Sequence, residues 1–251
     1  MSKFGRLITK SPALEQPRTT RIFSDKSEFV DYAYDSLDII DKTTLVRWFC
    51  RGKDVLDLGC IDHSYEIALG QGDDWLHNQI KQVSTSLVGL DILADDAMRL
   101  NENGYDIVCG NAESFDLNRT FDVIVAGDLI EHLSNIGLFL KCLANHMHRG
   151  SIAIVTTPNP FNIEQTMLGL FDGKIVVNNQ HTVWLDPKVI YELVERSGLR
   201  LVDFYWVDTR FKLRLQRKFF GEFINGISEI LMRARPLFRR DYAVLLSLAD
   251  T

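Results

Sequence analysis

Seven short apolar runs recur along the 251 residues: 54–59 (DVLDLG), 87–92 (LVGLDI), 105–109 (YDIVC), 121–127 (FDVIVAG), 151–157 (SIAIVTT), 201–208 (LVDFYWVD) and 242–249 (YAVLLSLA). Each has strand length. Four of the intervening stretches, DWLHNQIKQVS, ADDAMRLNENG, NIGLFLKCLANHMHRG and DPKVIYELVERSG, carry apolar residues at helical spacing. In the last of them Pro187 follows Asp186 in the first turn and Gly198 stands just beyond the end, as helix boundaries require. Strand alternating with helix is the signature of βαβ units. The expected fold is therefore α/β, a Rossmann-like, mostly parallel seven-stranded sheet with helices on both faces.

Before the first strand, 27–49 reads as one or two helices with Ser27 as N-cap, placed to lie over a cofactor cleft. The domain expectation is one unit, 1–251, with a helical N-terminal cap (1–50), an acceptor-side insertion (160–185) and a basic amphipathic helical insertion (209–240). A hydrophobic fraction of 46% and six prolines suit an ordinary globular core. The start lacks the apolar core of a secretory signal and no run is long enough to span a bilayer, so a cytoplasmic protein is expected. Cys50, Cys60, Cys109 and Cys142 are widely spaced, suggesting neither a disulfide framework nor a zinc site, and nothing in the sequence fixes a metal.

Net charge is −6, which argues against nucleic acid as the main partner. The average hides an asymmetry: residues 210–240 hold nine Lys or Arg against two Glu, leaving 19 basic and 32 acidic residues elsewhere. Apolar residues recur there at helical spacing. The segment reads as a packed helix or lid, as an interfacial helix meeting anionic headgroups, or as a dimer contact.

In an open parallel sheet, ligands bind beyond the carboxyl ends of the strands at the switch in strand order. The residues there are Asp57, Gly59 and Cys60; Asp91 and Ile92; Asn111, Ala112 and Glu113; and Asp128. Gly59 permits a tight turn, and Asp57 suits loop amides or a cationic ligand. Asp91 suits the two hydroxyls of a ribose. Asn111, Ala112 and Glu113 suit an adenine edge, although Glu113 also reads as a solvated loop acid. An acid ending an apolar strand is costly unless satisfied, so Asp57 and Asp91 are expected to serve the site. Asp62 reads as the N-cap of the next helix.

The ordered set DVLDLGC, LVGLDI, GNAESFDL, FDVIVAGDLIEHL, RGSIAIVTTPNP and HTVWLDP resembles the class I S-adenosylmethionine-dependent methyltransferases, especially the small-molecule group whose fourth strand runs into EHL or EHV. The resemblance implies a final antiparallel strand and S-adenosylmethionine as cofactor. It puts the glycine-motif role on Asp57, Gly59 and Cys60, the ribose acid on Asp91, the adenine side on Asn111, Ala112 and Glu113, and the position after the fourth strand on Asp128. Ile61 and His63 stand where glycines are usual. Their loss harms a dinucleotide reading more, because only a pyrophosphate needs that close backbone approach. His63 is expected to fill the turn.

Methyl transfer to a hydroxyl is an in-line displacement that calls for a base, and His132 and His181 are the candidates with Glu131 as orienter or substrate ligand. His132 also reads as a helix-start residue that caps or packs. The expected function is methylation, at oxygen, of a small molecule or a glycan, with a lipid-linked acceptor suiting the basic segment. A non-catalytic cofactor-fold module and an NAD-dependent oxidoreductase are the alternatives.

Overall fold

The seven apolar runs fold into strands of one sheet, and a further two-residue strand extends its edge. The computed structural model describes residues 14–17, 21–171, 173, 177–208, 228, 230–232 and 234–249. Most of the basic segment, 209–227 with 229 and 233, lies outside the described residues. In chain order the elements are α1 (Lys26–Asp35), β1 (Ile39–Ile40), α2 (Lys42–Cys50), β2 (Asp54–Leu58), α3 (Tyr65–Gln71), α4 (Leu76–Lys81), β3 (Ser86–Asp91), α5 (Ala94–Glu102), β4 (Ile107–Cys109), β5 (Phe121–Gly127), α6 (Ile136–Asn145), β6 (Met147–Pro158), α7 (Ile163–Phe171), α8 (Pro187–Glu195), β7 (Leu199–Val207) and β8 (Asp241–Leu248).

The strand order is β1-β7-β8-β6-β5-β2-β3-β4. β2 lies parallel between β3 and β5, and the chain runs outward through β3 and β4 before returning to β5 on the other side. That reversal opens a crevice at the carboxyl ends of β2 and β5. β8 runs antiparallel to both β6 and β7, as the family resemblance implies.

The central strands carry apolar residues on both faces because both faces are covered. Alternate residues point to opposite sides: Leu56, Ile124 and Ala126 join one core, whereas Val55, Val123 and Val125 join the other. β6 begins earlier than its apolar run. α6 stops at Asn145, and Met147 already pairs with Phe121 before a register shift.

The 27–49 stretch is two helices, and its N-cap is Asp25 instead of Ser27. The Asp25 carboxylate accepts from the amide of Glu28 at 2.9 Å, which leaves Ser27 inside the first turn. Between the helices, Ile39 and Ile40 extend as β1 along β7, where Trp206 donates to the Asp38 carbonyl and Asp208 to that of Ile40. Trp206 Nε1 also donates to the Ala33 carbonyl, tying α1 to the sheet. Asp62 is likewise not a cap: Ser64, with extended backbone, caps α3 through the amide of Ile67, and Asp62 instead accepts from Gln71 Nε2. α8 follows its sequence signals, with Asp186 accepting from the amides of Lys188 and Val189 and Gly198 at φ +78°.

A third apolar cluster packs the loop after β2 against α5 and β4, through Cys60, Ile61, Trp75, Leu100 and Ile107. A Cβ on Gly89 in β3 would meet Cys60 Sγ at 2.6 Å, Ile107 Cγ1 at 3.0 Å and His77 Cε1 at 3.1 Å. We expect Gly89→Ala to lower stability by about 1–3 kcal/mol in a urea melt, because close-packed surroundings must move. Gly137→Ala, with open space around its Cβ in α6, should be neutral or stabilising by up to about 1 kcal/mol. Equal midpoints for the two variants would refute this packing.

Candidate functional site

A cleft of about 1080 Å³ opens along the carboxyl ends of β2 to β5, and every site residue named from the sequence lies on its walls. Gly59 makes the turn out of β2 at φ +67°, and a Cβ there would stand 2.9 Å from Leu129 Cδ1. The two missing glycines have different fates. Ile61 needs no left-handed backbone; its side chain is buried in the third cluster, and its amide donates to Asp91 Oδ2 at 2.8 Å. His63 does adopt the left-handed region, at φ +63°, so the glycine's conformation is kept without the glycine. The His63 side chain is exposed, 3.4 Å from Asp62.

Two residues of the α4 region support this loop. Trp75 Nε1 donates to the Cys60 carbonyl at 2.8 Å, and His77 Nδ1 lies 2.8 Å from Asp57 Oδ2, with both His77 and Asp57 buried. Asp57 therefore pairs with an imidazole below the loop, where the sequence suggested loop amides or a cationic ligand. Sequence reasoning did not single out His77. Its spacing from Ile80 on the buried face of α4 was the available signal.

Asp91 ends β3. Its Oδ2 takes the Ile61 amide and its Oδ1 the Leu93 amide at 3.1 Å, so each oxygen keeps further acceptor capacity. Burial raises its pKa, against the pull of the amides. Ile92 beside it is 68% exposed, an apolar surface on the cleft wall. Beyond β4, Asn111 Oδ1 accepts from the Glu113 amide, and the amide of Ala112 has no partner among the described residues. Glu113 is engaged elsewhere. Its carboxylate accepts from Asn135 Nδ2 and from the amides of Asn135 and Ser134 at the start of α6, and these bonds hold its pKa low. Of the three residues expected at an adenine edge, Glu113 is thus spent on the start of α6.

After β5, Asp128 adopts φ +51°. Lys42 Nζ of α2 donates to its Oδ2 at 2.7 Å, and Thr156 Oγ1 to its Oδ1 at 2.7 Å. Burial pushes the carboxyl up, but the Lys42 charge and these bonds outweigh it and hold the acid low. Lys42 was read only as part of a helix, because nothing local tells where that helix docks.

His132 lies in a single 3-10 turn, Ile130–His132, and α6 starts only at Ile136. Glu131 is buried, and Thr157 Oγ1 donates to its Oε2 at 3.0 Å. Burial and the Asp128 charge push it up to about 8. Its carbonyl receives the amide of Thr182 at 2.8 Å, and Thr182 Oγ1 bonds the carbonyl of Leu133 at 2.6 Å. This clasp brings His181 to His132, ring centroids 4.7 Å apart and planes perpendicular. Burial, then the neighbouring His132, lowers the His181 pKa.

The Rickettsia canadensis ubiquinone biosynthesis O-methyltransferase is 25% identical over 130 residues, 45% of this chain and 55% of that protein. The chain spans about half the length of the curated relatives it matches. Among solved structures, a SAM dependent methyltransferase from Archaeoglobus fulgidus aligns with TM-score 0.52 at 18% identity, over 88% of this chain and 92% of that one. Magnesium protoporphyrin IX methyltransferase from Synechocystis PCC 6803, with bound SAH, aligns with TM-score 0.53 at 13% identity, over 81% and 80%. The architecture is the class I methyltransferase fold. A methyltransferase-domain profile matches residues 32–203, more than half of the sequence, and the chain belongs to that family.

Proposed function

We propose that this chain transfers the methyl group of S-adenosylmethionine to a hydroxyl of a small-molecule or glycan acceptor. The observation that carries the reading is the single cleft joining Asp91 to His181. In-line transfer needs donor and acceptor in one cavity, and a site for one drug-sized ligand takes roughly 300–1,000 Å³.

At the donor end, Asp91 receives the ribose hydroxyls, Ile92 offers an apolar face to adenine, and the Ala112 amide meets its edge. Asp57, Gly59 and Cys60 set the floor of the methionine side, and Asp128 with Lys42 its flank. A buried Ile61 in the glycine position suits a ligand without phosphates and disfavours NAD. At the acceptor end, the amides of Asn178 and Gln180 with the half-exposed ring of Trp184 suit a hydroxylated ring. The R. canadensis relative, named as an O-methyltransferase, supports oxygen as the nucleophile. As the C–O bond forms, the C–S bond breaks with its electron pair going to sulfur. The hydroxyl proton is drawn off at the Glu131, His132 and His181 end.

A cytoplasmic setting with peripheral membrane contact through 210–240, and a lipid-linked acceptor, fit the nine basic residues there. No described helix is long and apolar enough to cross a membrane. Co-sedimentation with anionic liposomes should detect this contact, and its absence would remove the lipid-linked acceptor.

Calorimetry should show binding of S-adenosylmethionine and its demethylated product but not NAD. Binding of NAD alone would overturn the reading, and binding of none would favour a non-catalytic module. Asp91→Ala should weaken product binding at least about tenfold, a change of about 1.4 kcal/mol. His181→Ala should keep that affinity within about twofold while tritiated-methyl transfer to the acceptor falls about 10²-fold or more. Unchanged transfer in His181→Ala would show that the acceptor sits elsewhere.

A further inference from the structure

We propose that His77 is a positioning residue for the methyl donor: its ring holds the Asp57 carboxylate so that the second oxygen faces the ammonium end of the donor. The inference deepens the proposed methyl transfer and rests on it for the identity of the ligand. His77, in α4, is buried and is not part of the cleft wall, whereas Asp57 and Cys60 are.

A carboxylate only accepts hydrogen bonds, so Nδ1 of His77 donates to Asp57 Oδ2, at 2.8 Å. Oδ1 of Asp57 accepts no hydrogen bond among the described residues, and it is the atom that Asp57 has to offer to a ligand in the cleft. Burial, and to a smaller extent the Asp57 charge, raises the Asp91 pKa. The two carboxylates therefore act on one end of the cleft, and S-adenosylmethionine brings positive charge to it at sulfur and at its amino group.

The ring is held in place from several sides. Trp75 and Tyr105 flank it, with ring centroids 5.1 and 5.9 Å away. Gly89 leaves the room it needs, since a Cβ there would stand 3.1 Å from His77 Cε1. The Tyr105 hydroxyl donates to Asn78 Oδ1, on the next residue of α4. Trp75, at the start of the same helix, donates to the Cys60 carbonyl. One short helix thus grips the loop after β2 at a backbone carbonyl and at a side chain. Burying an imidazole with a carboxylate is less favourable than burying apolar side chains of the same volume. Packing alone does not account for the pair, whereas a task for Asp57 at the cleft does.

The test compares two ligands by calorimetry on the full chain: S-adenosylhomocysteine, and 5′-methylthioadenosine, which has the adenosine and the sulfur but no amino-acid end. His77→Phe keeps a ring between Trp75 and Tyr105 but cannot donate. It should weaken S-adenosylhomocysteine at least about tenfold and 5′-methylthioadenosine by less than about twofold. The smaller His77→Leu should show the same split, as should Asp57→Asn, which removes the charge and keeps the shape. His77→Asn, whose amide nitrogen takes the place of Nδ1, should bind S-adenosylhomocysteine within about threefold of the parent. A merely structural His77 would disturb the loop that holds Ile61 against Asp91, and both ligands would lose affinity together. That result overturns the proposal, as does full S-adenosylhomocysteine affinity in His77→Phe, His77→Leu or Asp57→Asn, or the absence of rescue in His77→Asn. Full affinity in the variants leaves the methyltransferase reading intact, whereas failure of the parent to bind either ligand overturns that reading and this inference with it.

Discussion

The Asp91 carboxylate sits where β3 ends and takes the amide of Ile61 from the loop that leaves β2. A buried carboxylate must be satisfied, and a loop amide without a strand partner must be too. One bond meets both needs and couples the two central strands at the edge where the cleft opens. The surrounding contacts reinforce it. Trp75 holds the Cys60 carbonyl, His77 holds Asp57 below, and Cys60 presses against the bare backbone of Gly89.

This arrangement explains how the loop does without two glycines. A glycine serves either to reach left-handed backbone or to clear space, and the two positions split these needs. At His63 the left-handed conformation is retained by a residue for which it costs energy. At Ile61 the space is filled, and the filling anchors the loop in the cluster that also holds Trp75 and Ala68. A phosphate-binding loop cannot be filled in this way, because its ligand must approach the backbone itself.

The far side of the cleft depends on a different device. After β5 the chain passes through Asp128 in left-handed backbone and then a single 3-10 turn, so neither helix nor strand ladder satisfies the Glu131 and Leu133 carbonyls. Thr182 supplies their partners and fixes a distant segment against them. Lys42 does the equivalent for Asp128 from the N-terminal helices. This end of the cleft is thus built from three parts of the chain that share no local pattern.

Apolar runs bounded by Asp and Gly determined the sheet, the strand ends and the positions of Asp57, Gly59, Asp91 and Asp128, because burial on both faces and tight turns leave direct marks on neighbouring residues. Cap identity was less legible: Ser27 and Asp62 had suitable chemistry, but Asp25 and Ser64 had the extended backbone that places an oxygen over the right amide. β1 was invisible, since two isoleucines form a strand only when β7 lies alongside. Only the tertiary structure decided that His77 would hold Asp57, that Lys42 would reach Asp128, that Glu113 would be spent on the start of α6, and that His132 and His181 would meet beside Glu131. Each of these is an encounter between polar groups distant in sequence. Its occurrence is set by how the packed elements dock, and no periodicity in the chain records that.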